Sequence, residues 1–192
     1  MIDTQGKLLV APPNMPDWRF QKTVVYMWRH DVSGAAGVVV NKKCKHPDFK
    51  HICDEGVIKR NENVNTPVYY GGPVLNNIIG VLHSKEFTLG SSNKSETQPL
   101  AFTLDRKMLE VIAQGAGPKQ KIITMGMANW TGGQLEDELE ALPPRKPAMS
   151  WLVLPYDEKI VFGPQPEDLW EMCVSRAIEN KTKEILSHNF KD

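Results

Sequence analysis

The 192-residue sequence has no excess of either charge: lysine plus arginine and aspartate plus glutamate number 23 each. A balanced chain creates no global field to draw in a polyanion, so DNA, RNA or an anionic membrane would have to be held by a local patch. Three short basic clusters exist: Lys42 with Lys43 and Lys45, Lys119 with Lys121, and Arg145 with Lys146. Each reads as solvated surface, and nucleic acid is not an expected partner. Cysteine is scarce, at three without regular spacing, which argues against a disulfide framework and fits reduced thiols. No apolar run approaches the roughly 20 residues of a membrane span, and Met1 to Lys7 lacks a basic-then-apolar signal pattern. A cytoplasmic protein without membrane attachment is expected.

The signatures of common chemistries are also missing. There is no Walker A sequence, no G-x-S-x-G elbow and no H-E-x-x-H helix. Gly115-Ala116-Gly117 has the look of a nucleotide loop, but it follows a helical pattern instead of a strand and lacks the third glycine, so it reads as a helix C-terminal cap. Cys44, His46, His51 and Cys53 are zinc-type residues, yet C-x-H-x4-H-x-C lacks the usual gap between paired ligands. If the stretch after Pro47 is helical, His51 and Cys53 face nearly opposite ways. Neither a metal nor any other cofactor is expected.

What is present is an ordinary globular composition, 41% apolar and 24% charged, in a chain long enough to bury a core without staples. Short β-type segments recur at Lys7 to Ala11, Thr23 to Arg29, Gly37 to Asn41, Val68 to Tyr70, Ile78 to His83, Lys121 to Met127 and Trp151 to Pro155. Only His30 to Ala36 separates the second from the third, too little for a parallel crossover, so these two pair as an antiparallel hairpin. Helices are predicted over Asp105 to Gln114, from Thr131 to a stop at Pro143-Pro144, from Pro166-Glu167-Asp168 past Ile178, and more weakly between Pro47 and Ile58. The chain reads as one α+β unit over residues 1–192.

The most informative stretch is Ile122 to Leu139, where a β-type run breaks into Trp130-Thr131-Gly132-Gly133 and opens an acidic helix at Gln134. Free N–H groups there favour an anion, but Thr131 and Gln134 have the form of a capping box and Glu136, Asp137 and Glu138 already supply negative charge. Trp130 is either a core plug or a stacking surface. His30, Asn41 and His83 close apolar strands with polar groups. The hairpin sets His30 and Asn41 roughly 15 Å apart, so they cannot serve one reacting atom. His83 can act as a base, although a strand-end histidine is more often satisfied by backbone carbonyls.

Taken in order, Gly6 to Ala11 with Pro13, Asp17 and Phe20 before Val24-Val25, His30, Gly37 through Asn41, Gly71-Gly72-Pro73-Val74, Leu82-His83, Gly115 to Pro118, Gly126 with Ala128 and Trp130, and Gly133 to Glu136 resemble the AlgH-like (YqgE-type) family. The resemblance implies a mixed, largely antiparallel bent sheet forming a pseudo-barrel with flanking helices, and a link by name to transcriptional regulation of exopolysaccharide synthesis. Asn129 and Thr131 stand where that family has glycines, and Leu142 to Met149 reads as an insertion. The expected function is a cytoplasmic regulatory or adaptor protein that binds a protein or a small ligand without reading DNA directly. The alternative is a small-molecule enzyme whose cleft joins Gly71, Gly72 and His83 to Trp130, Thr131, Gly132, Gly133 and Gln134.

Overall fold

In the computed structural model the described residues are 3–93, 95–140, 150–165 and 167–189. The helix stop at Pro143-Pro144, the Leu142 to Met149 insertion, the Arg145 and Lys146 cluster and Pro166 lie outside them. The described strands are β1 (Leu8–Val10), β2 (Val24–Asp31), β3 (Gly34–Val39), β4 (Val68–Tyr70), β5 (Val74–Ser84), β6 (Leu100–Thr103), β7 (Lys121–Thr131) and β8 (Leu152–Leu154). The helices are α1 (Phe49–Glu55), α2 (Arg106–Ala113), α3 (Gln134–Glu140), α4 (Glu158–Phe162) and α5 (Leu169–Asn189). The architecture is α+β.

The strands form one sheet in the order β6-β5-β7-β3-β2-β1-β8, with β4 attached alongside β7. All pairings along that path are antiparallel, and β4 with β7 is parallel. The sheet is bent but not closed, since β6 and β8 stand at opposite ends of the path. Its concave face wraps a core holding Leu8, Tyr26, Val38, Leu82, Phe102, Ile122 and Leu154, with Cys173, Val174 and Ala177 of α5 packed on it. Trp28 of β2 stacks on Phe102 of β6 with ring centroids 4.9 Å apart, which draws distant strands toward each other across the bend.

Alternation explains why so many strands read as continuous apolar runs. In β1, Leu8 and Val10 enter the concave core while Leu9 and the adjoining Ala11 enter a second cluster with Val25, Met27, Trp130, Leu135 and Trp151. In β7, Ile122 faces the concave core and Ile123 a third cluster under α1 and α2. Both faces are covered, so neither carries a polar register.

The strand β7 is the spine. Its first half pairs with β4 and β5, and its second half, from Ala128, pairs with β3. Gly126 lies between the halves at φ 76°, a left-handed conformation favouring glycine, and its Cα side is crowded by the carbonyl of Gly72.

Several boundaries differ from the sequence reading for local reasons. The hairpin link is shorter than His30 to Ala36: β2 runs to Asp31 and β3 starts at Gly34, because the Asp31 carboxylate accepts from the Ser33 N–H at 2.8 Å and tightens the turn. The strand β6 was not expected; it is four residues long and exists through its ladder with β5. The helix α3 starts at Gln134 and not at Thr131, because Thr131 remains in β7 opposite Gly34.

Candidate functional site

The double-glycine corner and the tryptophan bend lie together. Gly72, at φ 148°, passes so close to β7 that a Cβ there would lie 2.3 Å from the carbonyl carbon of Met127; at Gly71 it would lie 2.2 Å from the Gly126 oxygen. Only glycine permits this approach, and it brings Pro73 and Val74 beside Asn129 and Trp130. Between them is a hollow of about 220 Å³, lined also by Met15, Arg19, Phe20, Gln134, Glu138 and Trp151.

One carboxylate organises the wall. Glu138 lies one helical turn beyond Gln134 on the same face of α3. Its Oε2 accepts from the indole N–H of Trp130 at 3.0 Å and of Trp151 at 2.9 Å, while Oε1 accepts from the Gln134 amide at 3.1 Å. The two indoles meet edge to face at 5.9 Å, and Phe20 packs on both, at 6.2 Å from Trp130 and 5.5 Å from Trp151. At the rim, the guanidinium of Arg19 grips Asp17 through Nε at 2.9 Å and Nη2 at 2.6 Å. That contact holds the Asp17 carboxyl below its ordinary pKa.

The glycine loop after Trp130 serves the fold. Gln134 accepts from the Thr131 N–H at 3.1 Å and is hydrogen-bonded to the Thr131 hydroxyl at 3.2 Å, and the Gly133 carbonyl accepts the first helical bond from Asp137. The capping box is half made, with the glutamine arm reaching back and the threonine arm turned to it. Gly132 packs against the Val32 carbonyl of the hairpin turn, whereas Gly133 faces open space.

His83 is not part of this hollow. It pairs with Lys121 at the start of β7, and at about 3.3 Å per residue that strand separates it from Trp130 by up to ~30 Å. Its side chain is fully buried, with Nδ1 2.9 Å from the Ser84 carbonyl and Nε2 2.8 Å from the Thr103 hydroxyl. Burial lowers its pKa from the usual 6.5. The cleft that joined His83 to Gly71, Gly72 and Trp130 is therefore corrected: the strand order places the histidine at the far end, satisfied by a carbonyl and a hydroxyl.

His30 and Asn41 are separated along the hairpin as expected. Asn41 clips the start of β2, accepting from Val24 N–H at 2.8 Å and donating to the Lys22 carbonyl at 2.9 Å. His30 is buried between Thr4, whose N–H donates to Nδ1 at 3.2 Å, and Glu136, whose Oε1 lies 3.3 Å from Nε2. Both fasten separate segments. Among the described residues no cluster of histidine, cysteine, aspartate and glutamate has metal-binding geometry, and no helix is long and apolar enough to cross a membrane.

Glu138, Trp151 and Phe20 were missed by the sequence reading. The spacing of Gln134 and Glu138 was a usable signal, since residues four apart share a helix face. Nothing local in the sequence marked Trp151 or Phe20, which reach the hollow through β8 and the 3₁₀ turn Trp18–Phe20.

The same arrangement of strands occurs in known proteins. The AlgH-like family profile matches residues 8–181. The chain belongs to the AlgH-like family. A UPF0301 protein of Nitrobacter hamburgensis is 34% identical over 179 residues, covering 89% of this chain and 80% of the relative. Another from Ralstonia pickettii is 36% identical, covering 88% of this chain and 85% of the relative. The solution structure of the AlgH protein from Pseudomonas aeruginosa shares 29% identity and superimposes with a TM-score of 0.71 over 92% of each chain. The crystal structure of a Corynebacterium diphtheriae protein at 19% identity has a TM-score of 0.64, over 92% of this chain and 88% of that one, a likeness of fold. The curled sheet with β7 as its spine is thus the AlgH-like architecture.

Proposed function

We propose that this AlgH-like protein is a cytoplasmic regulatory or adaptor protein, and that it acts by binding a small molecule or a partner side chain in the Trp130 hollow, not by catalysis. The observation that carries this reading is the engagement of the charged groups around the hollow. Glu138 holds two indoles and an amide, and Asp17 holds Arg19. Such groups make a stiff, pre-organised surface, which favours binding because little side-chain freedom remains to be lost. A general base or nucleophile needs a partner of complementary role within hydrogen-bond reach of a reacting atom, and the lining supplies no such pair. At about 220 Å³ the hollow suits a side chain or a small ligand fragment.

The regulatory part of the reading rests on the family resemblance. Direct duplex reading is not proposed, because the chain has no net charge. Native mass spectrometry of freshly purified protein tests the proposal, alongside Asn129→Trp, whose indole fills the mouth of the hollow from an exposed strand position. The expected result is a bound small molecule or a stoichiometric partner on the parent protein that Asn129→Trp does not retain. A bare mass for both proteins, with no rise in Tm against a metabolite set, overturns it.

A further inference from the structure

A second hollow, of about 580 Å³, lies beyond Arg19 and Pro73, and we propose that it binds a nucleoside monophosphate, with the base on Trp18 and the phosphate at Lys42 and Tyr70. This goes beyond the reading of the Trp130 hollow and does not depend on it. The lining is Trp18, Arg19, Lys42, Tyr70, Pro73 and Asn76, and the volume falls within the range of small-molecule sites.

Trp18 supplies the first argument. It is 77% exposed, unusual for the largest amphipathic side chain, on a 3₁₀ turn whose other members are fixed. Asp17 caps the turn by accepting from the Arg19 N–H at 3.0 Å, and Phe20 is packed against Trp130 and Trp151. The backbone is held while the indole projects over the hollow. A planar aromatic ring stacks on such a shelf whatever its sequence identity.

Lys42 supplies the second. Of the two cations lining the hollow, Arg19 is paired with Asp17, and the neighbouring Lys22 is paired with Glu171 at 3.0 Å. Lys42 has no carboxylate within ion-pair distance among the described residues; its amine donates to the Gln21 carbonyl at 2.7 Å. Burial, with the charge of Lys22 added, lowers its pKa. A half-buried ammonium in this position gains from an arriving anion. The Tyr70 phenol is a donor, as an ordinary tyrosine is near neutral pH, and burial moves its pKa further up.

Asn76 completes the set. With its amide nitrogen turned toward the carbonyls of Gly72 and Pro73, each at 3.1 Å, its oxygen is left as an acceptor suited to the amino group of a base. One spare cation matches one phosphate, whereas a nucleic-acid strand needs a track of cations along its backbone. The chemistry is therefore that of a mononucleotide.

Isothermal titration calorimetry of the full chain with adenosine 5′-monophosphate, adenosine, inorganic phosphate and a single-stranded oligonucleotide tests this. Monophosphate binding is expected at micromolar to millimolar concentration, weakened roughly tenfold by Trp18→Ala and by Lys42→Met, and roughly tenfold by removing either the base or the phosphate from the ligand. Trp18 is exposed, so Trp18→Ala keeps its fold and its circular dichroism. Asn129→Trp, which fills the first hollow, leaves the nucleotide affinity unchanged, and so separates failure here from failure there. Absence of heat with the monophosphate up to millimolar concentration overturns the proposal. So does parent-like affinity in Trp18→Ala and Lys42→Met, or salt-sensitive binding of the oligonucleotide without the mononucleotide.

Discussion

The two ends of β7 are flanked by polar residues that look alike in sequence and are used in opposite ways. At the Lys121 end, His83 of β5 is sealed between β6 and β7, and its ring nitrogens are consumed by the Ser84 carbonyl and the Thr103 hydroxyl. At the Thr131 end, Glu138, Gln134 and two indoles are bonded to one another around a hollow open to solvent. The difference lies in the neighbouring strand. At the first end β6 continues the sheet and covers the histidine, while at the second β5 leaves the ladder between Val74 and Ile79 and exposes the corner. A polar residue at a strand end becomes a surface-site candidate only where its neighbour withdraws.

The comparison is broken most severely at Gly72. In Gly72→Ala the new methyl carbon meets the Met127 carbonyl carbon at 2.3 Å in a backbone conformation at φ 148°, and no flexible side chain is there to move aside. A loss of ~4 kcal/mol or more is expected from the combined clash and strain. Against a typical total of about 5–15 kcal/mol this leaves little folded protein, as urea unfolding will show. A midpoint equal to that of the parent would mean that the corner is pliable and that no rigid hollow exists.

Trp130→Phe sharpens the comparison with a smaller change. Phenylalanine keeps an aromatic ring beside Phe20 but deprives Glu138 of one of the two indole donors on Oε2. A loss of about 2 kcal/mol is expected, part from the void and part from the missing hydrogen bond. Trp151→Phe should cost a similar amount, and the double variant less than the sum, because both donors serve the same oxygen. Full additivity in denaturant titrations would show that Glu138 does not couple them.

These cases also show what the sequence could convey. The hairpin, β4 and α2 were legible, because turn length, apolar runs and helix stops act over short stretches of chain, whereas the adjacency of the glycine corner to the tryptophan bend was expected through the family resemblance. Illegible features depended on distant pairing. Leu100 to Thr103 becomes a strand only beside β5, and the fate of His83 is decided by Thr103 and Ser92, at positions that no local pattern ties to it. Trp18 and Lys42 likewise share a hollow only because the turn before β2 and the chain after β3 meet in space.

The smallest expected effect lies at the buried end and is a dependence on pH. His83 has a folded-state pKa below its ordinary 6.5, chiefly through burial, so the unfolded chain takes up a proton first as the pH falls. Its contribution to stability is fully present above about 6.5 and is lost as the pH drops from there through the folded-state value. Stability should therefore decline as the pH falls below about 6.5, starting before the carboxylates begin to titrate appreciably. In His83→Phe the ring volume is kept and the titrating group removed, so the slope of unfolding free energy against pH should flatten in that window, whatever the absolute stability of the variant. Parallel slopes for the two proteins would show that His83 is accessible to protons in the folded state. That result would erase the contrast between the two ends of β7.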